Sequence, residues 1–204
     1  MREAEERAKY QQIWNLPEYR ERSPGLRHLP DALRVLRASR GASVTDWGCG
    51  TGAAAEALSA LGFIVRCVDI ADNAYGGALP FVRACLWDLP PDLGRTDYGY
   101  CADVMEHLPP EHVEAALQGI AKRTRQACYF QIALFDDHFG SQIGDTLHLS
   151  VFPPAWWRRR LMRYFRIVRC RTVRGRHLFA VARPRGSGCA GAGRRWCVLP
   201  ADQA

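Results

Sequence analysis

The chain has 204 residues, is 48% hydrophobic and carries a formal net charge of +7, enough to bury one substantial core without requiring a second full domain. Its first nine residues are too charged for the apolar stretch of a secretory signal. No run approaches the roughly 18 apolar residues of a membrane span, so the composition predicts a soluble, cytoplasmic protein.

Residues 3–15 read as a helix, which two prolines and a glycine interrupt between Trp14 and Gly25. A second helix is expected from about Asp31 to Ala38, with Leu33, Val35 and Leu36 facing a core, so residues 1–40 form a helical appendage. From Ala42 short apolar runs alternate with helical segments, the pattern of parallel βαβ units. Strands are predicted near 43–47, 63–69, 81–86, 97–102 and 127–134, and helices near 53–61, 111–124 and 72–78. A further helix is expected after Pro154. The runs 166–173 and 177–182 alternate strongly across Arg174-Gly175-Arg176, as an antiparallel hairpin would. The fold class is therefore α/β and Rossmann-like: a mostly parallel seven-stranded sheet over residues 41–184 that ends in a hairpin, with helices on both faces. Residues 185–204 are rich in Gly, Ala, Ser and Arg and read as a flexible tail.

Cys49, Cys67, Cys85, Cys101 and Cys128 fall in or beside strand-like runs, and no two cysteines form a C-x-x-C pair. They read as small core residues rather than as a disulfide frame or zinc site. Thirteen arginines and no acid lie between Arg158 and Arg195, a footprint compatible with an anionic partner. With 26 of the 28 basic residues arginine, ordinary solvated faces explain it as well.

The central motif is Val44-Thr-Asp-Trp-Gly-Cys-Gly-Thr-Gly-Ala-Ala-Ala-Glu-Ala-Leu58, a strand, a glycine turn and a helix. Gly48, Gly50 and Gly52, with Cys49 between the first two, let a ligand lie against the backbone at a helix start, where N–H groups are unpaired. Dinucleotide enzymes use a similar loop. Asp46, just before the first glycine, would repel a pyrophosphate and attract an ammonium. Asp69, seventeen residues beyond Gly52 and followed by Ile70, can accept both hydroxyls of a ribose. It would serve equally in a nicotinamide enzyme or as a helix cap.

With these residues the stretch from Val44 to Ala133 resembles the class I S-adenosylmethionine-dependent methyltransferases, and Asp103-Val-Met-Glu-His-Leu-Pro109 resembles their fourth-strand segment. The resemblance implies S-adenosylmethionine as cofactor and S-adenosylhomocysteine as product. It implies that Asp88 bonds the adenine amino group while Trp87 lines the base pocket. Asp103 and Val104 would flank the methionine end, with Glu106 and His107 at the rim, although His107 would also suit a helix cap. Tyr10, Trp14, Tyr19 and Arg20 look like residues that close over the cofactor, or they belong to a helix that merely docks on the sheet.

The polar, glycine-punctuated stretch 135–157 is too long for a spacer and frames an acceptor site. His148 is the candidate base for a hydroxyl or ammonium acceptor, with a strand-like core position as its structural alternative. Trp156 and Trp157 read as helix anchors rather than as an acceptor wall. A small-molecule or saccharide-type acceptor is expected, with no membrane partner. Nucleic-acid methylation is less favoured, because no N-P-P-Y, D-P-P-Y or Pro-Cys motif is present. A noncatalytic cofactor-binding protein is the alternative from another class.

Overall fold

The structure, a computed structural model, describes residues 2–21 and 24–186. The expected tail lies outside the described residues from 187 onward. Three helices lead the chain: α1 (Arg2–Ile13), α2 (Pro17–Arg20) and α3 (Pro24–Leu36). Then come β1 (Ser43–Trp47), α4 (Ala53–Ala60), β2 (Ile64–Asp69), β3 (Phe81–Arg83) and β4 (Thr96–Ala102). The chain continues through α5 (Val113–Arg123), β5 (Thr124–Ala133), α6 (Pro154–Tyr164), β6 (Phe165–Val173) and β7 (His177–Pro184).

Seven strands form one sheet in the order β3-β2-β1-β4-β5-β7-β6. Every neighbouring pair from β3 to β5 is parallel, whereas β7 runs antiparallel to both β5 and β6. The hairpin turns on Arg174 and Gly175, both at positive φ. Between β1 and β4 the order of connection reverses, which opens a crevice at the carboxyl ends of those strands.

Both faces of the sheet are covered, which is why its central strands are apolar on both sides. On one face α5 and α6 bury Leu117, Ile120 and Trp157 against Trp47, Phe130 and Phe165. On the other, α3 and α4 bury Leu29, Ala32, Leu36 and Leu58 against Tyr100 and Tyr129. The five strand-side cysteines are free and buried, as small core residues should be.

Three expectations are corrected. Residues 72–78 form bends and irregular backbone, not a helix. Gly76 and Gly77 disfavour a helix there, and the Tyr75 hydroxyl takes the Leu79 N–H at 2.8 Å in a local loop closure. The strand expected to reach residue 86 ends at Arg83, and the chain turns to line the crevice. Helix α3 begins at Pro24 instead of Asp31 and continues through Pro30. Burial of Leu29, Ala32 and Leu36 outweighs the one backbone bond that Pro30 cannot make. No helix among the described residues is long and apolar enough to cross a membrane.

Candidate active site

The crevice at the switch point holds a cavity with about 600 Å³ of empty space including its mouth. Gly48, Asp69, Ile70, Trp87, Asp103, Val104 and His107 line it from the sheet side. Glu6 and Tyr10 of α1, Trp14 in the turn just after it and Tyr19 of α2 line it from above. Ten of the expected site residues thus meet around one space.

The glycine bend has the shape it has because side chains press on it. Gly48 has φ +72°, and a Cβ there would lie 2.5 Å from Val104 Cγ2. Gly50 has φ +53°, and its Cβ would lie 2.8 Å from the Trp14 ring. Both a backbone conformation and a close approach therefore require glycine. The bend is tied to β2, since Asp69 Oδ2 accepts the Gly50 N–H at 2.8 Å and Oδ1 accepts the Ala71 N–H at 3.0 Å. Burial pushes the Asp69 carboxyl up, against those backbone bonds. Asp69 still faces the cavity with acceptor capacity to spare.

Asp46 is 3% exposed and does not line the cavity, and its Oδ2 has no hydrogen-bond donor. Burial and then the Asp69 charge push its pKa up to about 7. The folded-state value lies above the unfolded one, so between about pH 4 and pH 7 the folded chain holds the extra proton. Stability is therefore expected to fall as pH rises through that window, then to level off. Thermal melts from pH 5 to 8 should show this decline in the wild type and a flatter profile in Asp46→Asn. Parallel profiles would remove Asp46 from this role.

Other expected residues stand outside the cavity lining. Cys49, Gly50 and Gly52 are buried in the bend itself. Asp88 is exposed, its N–H bonded to the Cys85 carbonyl at 3.1 Å. Arg20 donates to the carbonyls of Trp14, Asn73 and Ala74 at 3.0–3.1 Å. It thereby fastens α2 to the loop after β2.

The segment after β4 turns through Asp103 at φ +59°. Asp103 accepts the Gln131 amide at 3.0 Å. Burial opposes its charge, but hydrogen bonds from Glu106 and Gln131 outweigh that and hold its pKa below the ordinary value. Glu106 is not at the rim: it is fully buried, with Oε1 accepting the Ala133 N–H at 2.8 Å. Burial and the neighbouring Asp103 push its pKa well up, so the pair shares one proton.

His107 faces the cavity, and its Nδ1 lies 2.8 Å from the Tyr10 hydroxyl. Burial, then His148, lowers its pKa to about 3. His148 is partly exposed in a loop, not in a strand, and packs edge-on against His107 with centroids 4.7 Å apart. The loop is pinned by Asp137 Oδ2, which takes the N–H groups of Leu147 and His148 at 2.8 and 3.2 Å.

Sequence reasoning missed the buried Glu6–Lys9 pair on α1, 2.6 Å apart, although Glu6 lines the cavity. A helix with so little apolar periodicity offers no signal that two of its charges turn inward. Trp157 is fully buried, and Trp156 stacks on Phe152 at 4.0 Å, so both serve α6. In the arginine-rich part, Arg160 and Arg163 pair with Glu114, and Arg171 with Asp31. The β6 edge lies four strands from β1.

Strand order and the glycine bend at the switch point are those of the Rossmann-like fold of methyltransferase type. Residues 45–132 match the model of a family described as a methyltransferase domain. Comparison with curated proteins finds no significant match. Among solved structures the chain is similar to a TehB-like S-adenosylmethionine-dependent methyltransferase from Corynebacterium glutamicum, at 20% identity and TM-score 0.61, over 79% of this chain and 88% of that one. It is also similar to a 1,6-didemethyltoxoflavin-N1-methyltransferase from Burkholderia thailandensis with bound S-adenosylhomocysteine, at 20% identity and TM-score 0.59, over 78% of each chain. The magnesium protoporphyrin IX methyltransferase of Synechocystis PCC 6803 aligns at 22% identity and TM-score 0.58, over 78% of this chain and 83% of that one.

Proposed function

We propose that the protein transfers the methyl group of S-adenosylmethionine to an oxygen or nitrogen of a small molecule. The observation that carries this reading is the roof of the cavity. Tyr10, Trp14 and Tyr19 line the cavity over the strand ends, an aromatic enclosure that suits a compact acceptor. Two of the similar structures, by their names, belong to enzymes that methylate small heterocycles or porphyrins.

In this reading Asp69 receives the ribose hydroxyls and Asp103 with Val104 the methionine end, while Trp87 borders the base. Gly48 and Ile70 form the floor, with Asp46, Cys49, Gly50 and Gly52 buried behind it. Asp88 reaches the adenine amino group from outside the lining, and Arg20 holds the roof through backbone carbonyls. The sulfonium already carries its leaving group, so the protein mainly aligns the acceptor for in-line displacement and excludes water. The new C–O or C–N bond forms as the C–S bond breaks, and its electron pair stays on sulfur.

His148 takes part in removing the acceptor's proton. Its Nδ1 sits 2.6 Å from the Phe135 carbonyl, which only accepts, so Nδ1 carries the hydrogen and Nε2 the lone pair. His148→Ala is expected to bind S-adenosylhomocysteine normally in calorimetry while turnover falls about 100-fold or more, the usual weight of proton transfer. Unchanged turnover would end this role. The acceptor itself is to be found by incubating the enzyme and labelled cofactor with a metabolite extract. Label appearing only in nucleic acid would overturn the small-molecule reading.

A further inference from the structure

Beside the cavity, whose wall His107 lines, Glu106, His107 and His148 each bring one ligating atom to within 4.8 Å of the others. Both imidazoles are held from behind. His148 is fixed by the Phe135 carbonyl at 2.6 Å, and His107 by the Tyr10 hydroxyl at 2.8 Å. That hydroxyl also reaches the Leu147 carbonyl at 3.4 Å. With its proton there, it accepts from His107 Nδ1–H, and His107 Nε2 is left with a lone pair as His148 Nε2 is. Outward bonding of the second ring nitrogen is how metal-bound histidines are oriented.

The third group is Glu106, which is fully buried. Its Oε1 is satisfied by Ala133, whereas Oε2 receives no donor from any other side chain or backbone group. The nearest ammonium, Lys9, is committed to Glu6 at 2.6 Å and to the Thr146 carbonyl at 3.3 Å. Only a proton shared with Asp103 or a bound cation fills that space.

We propose that Glu106, His107 and His148 bind a divalent transition-metal ion beside the methyl-transfer site. Two imidazoles and one carboxylate suit zinc, iron or manganese and leave coordination positions open. Bonds of about 2.0 to 2.1 Å to a tetrahedral ion put ligand atoms roughly 3.3 Å apart, so the three side chains draw together slightly on loading. The metal displaces the proton of Glu106.

The inference rests on the proposed methyl transfer and narrows it to a hydroxyl acceptor. The hydroxyl oxygen coordinates the ion, and its proton leaves to solvent. One oxygen lone pair then forms the O–C bond as the C–S pair returns to sulfur, so His148 acts on the acceptor's proton through the metal.

The test is equilibrium dialysis of chelator-stripped protein against zinc, with metal quantified per chain. Wild type should take up one equivalent. His148→Ala and Glu106→Gln, the latter keeping the acceptor for Ala133, should bind at least about 10-fold more weakly, the scale on which site residues tune metal affinity. Circular dichroism and S-adenosylhomocysteine calorimetry establish that each variant is folded. No uptake by wild type, or equal uptake by the folded variants, overturns the metal site. Full turnover of the stripped enzyme removes the ion from the reaction and leaves the methyl-transfer reading standing. Zinc uptake lost in both variants, with no binding of S-adenosylmethionine, would uphold the site and sink that reading.

Discussion

Asp69→Ala is expected to weaken S-adenosylhomocysteine binding at least about 100-fold. In its proposed role the carboxylate accepts two ribose hydroxyls, and hydrogen bonds to a charged group contribute roughly 1.5 to 3 kcal/mol each. Two such bonds amount to about 3 to 6 kcal/mol, and every 1.4 kcal/mol is about tenfold in affinity. The same carboxylate also holds the Gly50 and Ala71 N–H groups, so its removal loosens the bend against which the cofactor lies. Isothermal titration gives the affinity directly. A change within about threefold would mean that the nucleoside lies elsewhere.

Trp157→Ala should instead cost stability, by about 3 to 5 kcal/mol as for other large buried aromatics. The side chain is fully buried between α6 and the sheet, in one cluster with Phe130, Leu161 and Phe165. For a chain of this size the loss corresponds to a fall in melting temperature on the order of 10 °C. Cofactor affinity of the folded fraction should be unaffected, because Trp157 is absent from the cavity lining. If the variant melted like the wild type but lost acceptor affinity, the tryptophan would belong to the acceptor site after all.

Much of the fold was legible because its signals are local. Alternation of apolar runs with helical stretches marked the βαβ units, and Arg174-Gly175-Arg176 marked the hairpin. The glycine bend was equally plain, since few residues other than glycine accept positive φ and so close an approach. Residues 72–78 were misread because an apolar and polar mixture looked helical, while Gly76 and Gly77 with the closure at Tyr75 decide otherwise. The start of α3 was misplaced because Gly25 and Pro30 argue locally against a helix that burial on the sheet sustains. The cavity lining was legible residue by residue where a motif carried it, as at Asp69 and Asp103. It was opaque where a side chain's direction mattered, as at Glu106, expected at the rim and found in the core.

The sequence alone determined the class of fold, the bend and the acids at the strand ends, for these follow from short-range spacing and backbone sterics. Only the tertiary structure brought His107 from the β4 segment, His148 from a loop some forty residues later and Tyr10 from the first helix to one rim. Such meetings depend on how helices and loops pack over a finished sheet, and no spacing along the chain encodes them.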